Sequence, residues 1–103
     1  MLKGILEGCI LAVIAQKEVY GYEMTTQLTE YGLDIVSEGS IYPVLLKLQK
    51  QKLIEGKMMP SSEGPMRKYY YITEQGKEAL RQFTEHWESL SAGVDRILKG
   101  ERK

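Results

Sequence analysis

Little in this sequence can do chemistry. Its 103 residues include one cysteine, Cys9, and one histidine, His86. A single cysteine excludes a disulfide within the chain and fits a reducing compartment, so a cytoplasmic location is expected. Zinc and other transition metals take three or four soft or imidazole ligands, which are missing here, and no metal or cofactor is expected. Catalysis needs a nucleophile, a base and an orienting group converging in one pocket. His86 has no evident partner for that work and reads as a solvent-facing or interface residue, so an enzyme is not expected. Long apolar runs are missing too. The opening stretch MLKGILEGCILAVIA superficially resembles an export signal, and Leu6-Glu7-Gly8-Cys9 echoes a lipoprotein cleavage box. Glu7 interrupts that run, one lysine precedes the cysteine, and the run is too short to cross a bilayer. It reads as a buried helix, and no membrane partner is expected.

Net charge is also lacking, at a formal +0, so no global field attracts polyanions. The distribution is uneven, however. Residues 1–39 hold two basic residues against six acids, a balance of −4. Residues 40–70 hold Lys47, Lys50, Lys52, Lys57, Arg67 and Lys68 against Glu55 and Glu63, a balance of +4. Such a segment gives either a lysine-rich solvated surface or one polyanion-binding face.

At 103 residues, with 43% hydrophobic and 27% charged residues, the chain is one small globular domain with a thin core. Leu2, Ile5, Leu6, Cys9, Ile10, Val13 and Ile14 recur at helical spacing and predict a first helix to about Ala15. Gly21 breaks the chain. YEMTTQLTEYG then reads as a shorter helix with Met24 and Leu28 inward and Gly32 as its stop. A connection LDIVSEG leads to a third helix within GSIYPVLLKLQKQKLIEG, closed by Gly56. Pro43 belongs near its first turn, with Ser37 or Ser40 as the cap. Ile41, Val44, Leu45 and Leu48 share its inward side, and Tyr42, Pro43, Leu46, Lys47, Gln49 and Lys50 occupy the rest.

IEGKMMP and RKYYYIT suit short strands around the loop SSEGP, with Lys68, Tyr70 and Ile72 on one face and Arg67, Tyr69 and Tyr71 on the other. Strand alternation makes Tyr70 a core residue. Thr73 caps a last helix of about 25 residues, along which Leu80, Phe83, Trp87, Leu90, Val94 and Ile97 step by three or four. That seam is longer than the domain's own core requires and suits burial against a second copy. The expected fold is mainly α with a small β-hairpin: a winged helix-turn-helix DNA-binding domain over 1–72 and a long C-terminal dimerisation helix over 73–103.

A helix that packs one face on its domain offers the other to the DNA major groove. Lys47 and Lys50 can neutralise phosphates or reach guanine edges, and Gln49 can pair with adenine. Tyr42 can donate to a phosphate oxygen, and Leu46 can meet a thymine methyl. The hairpin brings Arg67 and Lys68 toward the flanking backbone or minor groove. Each side chain also has a plainer reading, the lysines as solvated charge and Leu46 as packing on the wing. Helix, basic hairpin and local charge together favour DNA.

The blocks YGYEM, GSIYPVLLKLQKQKLIEG and RKYYYITEQGKEAL resemble those of the PadR family of bacterial transcriptional regulators. The resemblance covers nearly the whole chain, and the combination S-x-Y-P-x-L-x-x-L with R-K-Y-Y-x-x-T-x-x-G is specific. It implies a homodimeric repressor that binds a double-stranded, inverted-repeat operator. It also implies that the helix beginning near Ser40 reads DNA, with Tyr42, Pro43 and Lys47 in its motif and Arg67, Lys68 and Tyr69 at or near the DNA backbone. The short final helix is similar to that of a compact, multidrug-sensing subgroup, in which Trp87 would stack a flat aromatic effector between subunits. The wing tip SSEGPM departs from the paired glycines of the family pattern. The alternative from another class is a winged-helix adaptor that binds protein and not DNA.

Overall fold

A computed structural model of the chain describes residues 2–33, 37–60 and 64–100, with side chains from Gly4 onward and without that of Glu38. The connection at 34–36 and the wing loop at 61–63 lie outside the described residues, as does the expected inward side chain of Leu2. Helix α1 (Leu2–Gln16) leads to a two-residue strand β1 (Val19–Tyr20), a 3-10 turn (Gly21–Glu23) and α2 (Met24–Glu30). Then come α3 (Glu38–Lys50), the hairpin β2 (Ile54–Pro60) and β3 (Met66–Ile72), and α4 (Glu74–Leu98). This is a winged helix with a long C-terminal helix.

The N-terminal apolar run is the heart of the core. Ile10, Leu11, Val13 and Ile14 of α1 are buried with Met24 and Leu28 of α2 and with Ile41, Val44, Leu45 and Leu48 of α3. Val19, Ile54 and Tyr70 close the cluster from the sheet. Among the described residues no helix is long and apolar enough to cross a membrane.

The sheet has three antiparallel strands in the order β1-β3-β2. Val19 pairs with Tyr70 and Tyr20 with Tyr69 on one side of β3, while Ile54 pairs with Ile72 and Pro60 with Met66 on the other. The sequence reading found the hairpin but not β1. Two residues are too few to show a period of two, and β3 is what makes them a strand.

Helix ends also differ from the sequence reading. Gly32 stops α2 as expected, at φ +99°, with Gly32 N–H on the Thr29 carbonyl (2.8 Å) and Leu33 N–H on the Leu28 carbonyl (3.0 Å). The same pair of bonds closes α3, from Lys52 N–H to Gln49 (2.9 Å) and from Leu53 N–H to Leu48 (3.0 Å). Here a lysine, Lys52, takes the left-handed conformation at φ 63°. This C-terminal motif normally uses glycine because a Cβ disfavours that region. Gly56, expected to close the helix, instead lies inside β2.

Helix α3 starts at the earlier of the two expected caps. Ser37 is its N-cap by backbone geometry, its carbonyl accepting from Ser40 N–H and Ile41 N–H at 3.0 and 3.2 Å. Neither serine caps through its hydroxyl; the two hydroxyls lie 3.4 Å apart. Pro43 therefore stands in the second turn and not the first, where it removes the hydrogen bond to the Gly39 carbonyl. Gly39 is exposed, so water can reach that carbonyl.

Thr73 caps α4 as the sequence predicts. Its hydroxyl accepts from Gly76 N–H (3.0 Å) and lies 2.8 and 3.0 Å from the Lys52 and Leu53 carbonyls. Two glycines let α4 approach the domain this closely. A Cβ on Gly76 would overlap the Leu53 carbonyl and Ile72, and one on Gly8 of α1 would overlap the Phe83 ring.

Candidate nucleic-acid interface

The candidate site is built on α3 because the helical period separates its faces. With Ile41, Val44, Leu45 and Leu48 fixed in the core, the opposite side carries Pro43, Leu46 and Lys50, flanked by Tyr42 and Lys47. Ser40 and Gln49 lie at the two edges of that face. Leu46 is 54% exposed, an apolar side chain left in water on a polar face. Gln49 is half-buried and faces a hollow of about 490 Å³ shared with Lys52, Glu55, Thr73 and Gln75. It therefore sits at the shoulder of the exposed face and not at its centre.

Lys47 is not an isolated cation. Its ammonium donates to Glu7 Oε2 of α1 at 2.8 Å, and both side chains remain partly exposed. An ion pair this open contributes about 0.5 kcal/mol and yields readily to a competing phosphate. Nothing in the sequence pairs residues 40 positions apart.

The wing carries the rest. Arg67 is half-buried, with its guanidinium 4.3 Å from the Tyr22 ring centroid and its buried Nε without a hydrogen-bond partner among the described residues. The planar cation is thus held against the 3-10 turn by a cation–π contact. Lys68 is exposed, its ammonium 5.8 Å from the Tyr70 centroid, and Lys57 stands likewise over Tyr71. The contacts of Tyr22 with Arg67 and of Lys57 with Tyr71 were not legible in the sequence, because only the sheet brings these side chains together.

Three successive tyrosines of β3 are locked differently. Tyr69 is half-buried and meets Tyr20 edge-on, with centroids 4.5 Å apart, while Tyr20 Oη donates to the Pro60 carbonyl at 2.6 Å. Tyr71 Oη donates to the Glu55 carboxylate at 2.6 Å, and that bond pushes its pKa up. Burial, with the Tyr42 hydroxyl adding to it, pushes up Tyr70. Desolvation and then Glu18 do the same to Tyr69. All three phenols therefore stay protonated at neutral pH.

On α4 the apolar stripe divides. Leu80 packs on the core, and Phe83 is half-buried where its ring meets Gly8. Beyond them Trp87, Leu90, Val94 and Ile97 are exposed, Ile97 by 76%. Helix α4 runs about 37 Å at 1.5 Å per residue, and the chain extends 56 Å along its longest axis. Arg81 grips Glu78 at 2.5 Å and Glu85 at 2.6 Å, which raises its own pKa and lowers that of Glu78. Glu85, near Trp87 in sequence, is therefore ion-paired with a cation that it shares with Glu78.

A three-helix core, a hairpin wing and an exposed third-helix face define a winged-helix protein of the kind that reads DNA. Residues 10–82 match the transcriptional regulator PadR-like family, and the chain belongs to it. Members of this family are DNA-binding regulators rather than enzymes. The chain is similar to a PadR-like transcriptional regulator from Bacillus cereus strain ATCC 14579, at 57% identity, 98% coverage of both chains and a TM-score of 0.87. It is also similar to a Streptococcus transcriptional regulator, at 48% identity, 93% and 94% coverage and a TM-score of 0.85. An uncharacterized protein of Lysinibacillus sphaericus is 30% identical over 97% of this chain and 94% of its own length.

Proposed function

We propose that this regulator is a homodimeric repressor that holds an inverted-repeat operator and is released by a flat aromatic, phenolic or drug-like ligand. Residues 1–72 form the DNA-binding unit and 73–103 the dimerising one, and the protein works in the cytoplasm. The observation that carries the DNA half is the exposed face of α3, where Tyr42, Pro43, Leu46 and Lys50 lie opposite a fully packed face. Leu46 and Lys50 read base edges, and Gln49 and Ser40 contribute from the edges of that face. Tyr42 donates to phosphate, and Lys47 exchanges Glu7 for phosphate. Lys68, with Arg67 and Tyr69 behind it, follows the flanking backbone.

Lys68 is exposed and its ammonium lies 5.8 Å from the Tyr70 centroid, a longer contact than the 4.3 Å by which half-buried Arg67 supports the 3-10 turn through Tyr22. Lys68→Ala is therefore the cleaner test. With DNA from upstream of the protein's own gene, it is expected to weaken binding to all sequences alike and to flatten the slope of log K against log salt by about one unit. Leu46→Ala is expected instead to change which operator is preferred. An unchanged slope in Lys68→Ala would remove the wing from the interface. Binding without salt or sequence dependence would favour the protein-adaptor reading.

The ligand half rests on Trp87. Exposed on a single protomer and set in an apolar stripe, it would face its symmetry mate across a two-fold seam built from α4. Two indoles can sandwich a planar molecule, and a cationic one gains about 0.5–2 kcal/mol from cation–π attraction. Glu88 supplies negative charge at the mouth, since Arg81 already holds Glu85. Trp87 is the one tryptophan of the chain, so its fluorescence reports this site alone. Titration with planar cationic dyes should quench it saturably, and Trp87→Ala should abolish dye binding while leaving the dimer folded. Binding that survives the substitution would place the effector elsewhere.

A further inference from the structure

The wing concentrates one side chain. Of the five methionines in the chain, three lie on it, Met58 and Met59 in β2 and Met66 in β3. Their exposures are 53%, 38% and 55%, whereas Met24 in the core is at 0%. Met58 pairs with Lys68 and Met66 with Pro60, on the sheet face that carries Tyr70 into the core. Past the end of the core this face continues into solvent. Met59 pairs with Arg67 on the opposite face.

A thioether needs no deprotonation to be oxidised, so access governs its reactivity, and oxidation turns a flexible apolar group into a polar one. The competing sulfur, Cys9, is half-buried, and burial pushes its thiol pKa up and away from the reactive thiolate. Among the described sulfur side chains the wing methionines are thus the most accessible, and they stand beside the cations of the proposed DNA contact.

We propose that Met58, Met59 and Met66 form a reversible oxidation site through which a two-electron oxidant of the hypochlorous acid class releases the wing from DNA. The proposal rests on the DNA-reading role given to the wing above. In each event a sulfur–oxygen bond forms and the oxygen–chlorine bond breaks. Sulfur loses two electrons, chlorine leaves as chloride, and the hydroxyl proton goes to solvent. A thiol-dependent sulfoxide reductase reverses the change, with two thiols becoming a disulfide and the oxygen leaving as water. A sulfoxide oxygen is a strong acceptor. On Met58 it faces the strand position of Lys68, where it competes with phosphate for the ammonium and adds negative potential at the contact.

The test treats folded protein with a small excess of hypochlorous acid and follows two readouts. Peptide mass mapping, which needs no DNA, should find one added oxygen on the wing methionines before Met24. Binding to the DNA upstream of the protein's own gene should weaken about tenfold, the size of one lost contact, and recover after sulfoxide reductase. Met58→Leu/Met59→Leu/Met66→Leu should keep its affinity through the same treatment, and Met58→Gln/Met66→Gln should show the loss without oxidant. Uniform oxidation of all methionines, unchanged binding after wing oxidation, or equal loss in the leucine variant would each overturn the proposal. Failure of untreated protein to bind any DNA would instead count against the DNA reading on which it rests.

Discussion

Cut after Glu85, the protein is expected to sediment as a folded monomer and to lose about 10²–10⁴-fold in operator affinity, the gain that two linked half-sites normally provide. The cut removes Trp87, Leu90, Val94 and Ile97, all exposed on the single chain, so their loss costs the protomer little. It spares Leu80 and Phe83, which pack α4 onto the core and onto Gly8 of α1. The full-length dimer would set its two α3 helices about 34 Å apart, one turn of B-DNA, and the operator should be an inverted repeat with that spacing. Sedimentation and fluorescence anisotropy on a labelled duplex measure both effects. A truncated protein that still sediments as a dimer would move the seam away from the end of α4.

The second large effect is on stability. Gly76→Ala is expected to cost about 2–3 kcal/mol and to lower Tm by roughly 10 °C or more, although alanine is the better helix former. The added methyl would overlap the Leu53 carbonyl, a backbone atom that no rotamer change can move, and also Ile72. That same carbonyl accepts from Thr73 N–H at 3.0 Å, so shifting α4 to relieve the overlap also disturbs its cap. Gln75→Ala, one residue earlier on the exposed side, should fall within about 0.5 kcal/mol of the parent. Thermal melts of the two variants side by side separate crowding from any general sensitivity of this turn. Equal melting temperatures would mean that the helix can retreat without penalty.

What the sequence determined on its own is what periodicity encodes. Ile41, Val44, Leu45 and Leu48 went inward, and Tyr42, Leu46 and Lys50 outward, because a helix repeats every 3.6 residues and one side must be apolar. Tyr70 followed from strand alternation, Thr73 from the chemistry of a cap, and the stripe on α4 from its spacing. The tertiary structure alone decided the contacts between residues distant in the chain. It gave Lys47 to Glu7 and laid Arg67 over Tyr22, and it made Val19–Tyr20 a strand by setting β3 beside it. It also closed α3 through Lys52, just past the helix end, where packing overrides a residue's dislike of the left-handed region, and left Pro43 a turn inside the helix. Local pattern records which way a side chain points. Which partner meets it depends on where the other elements come to rest, and no short window of sequence contains that.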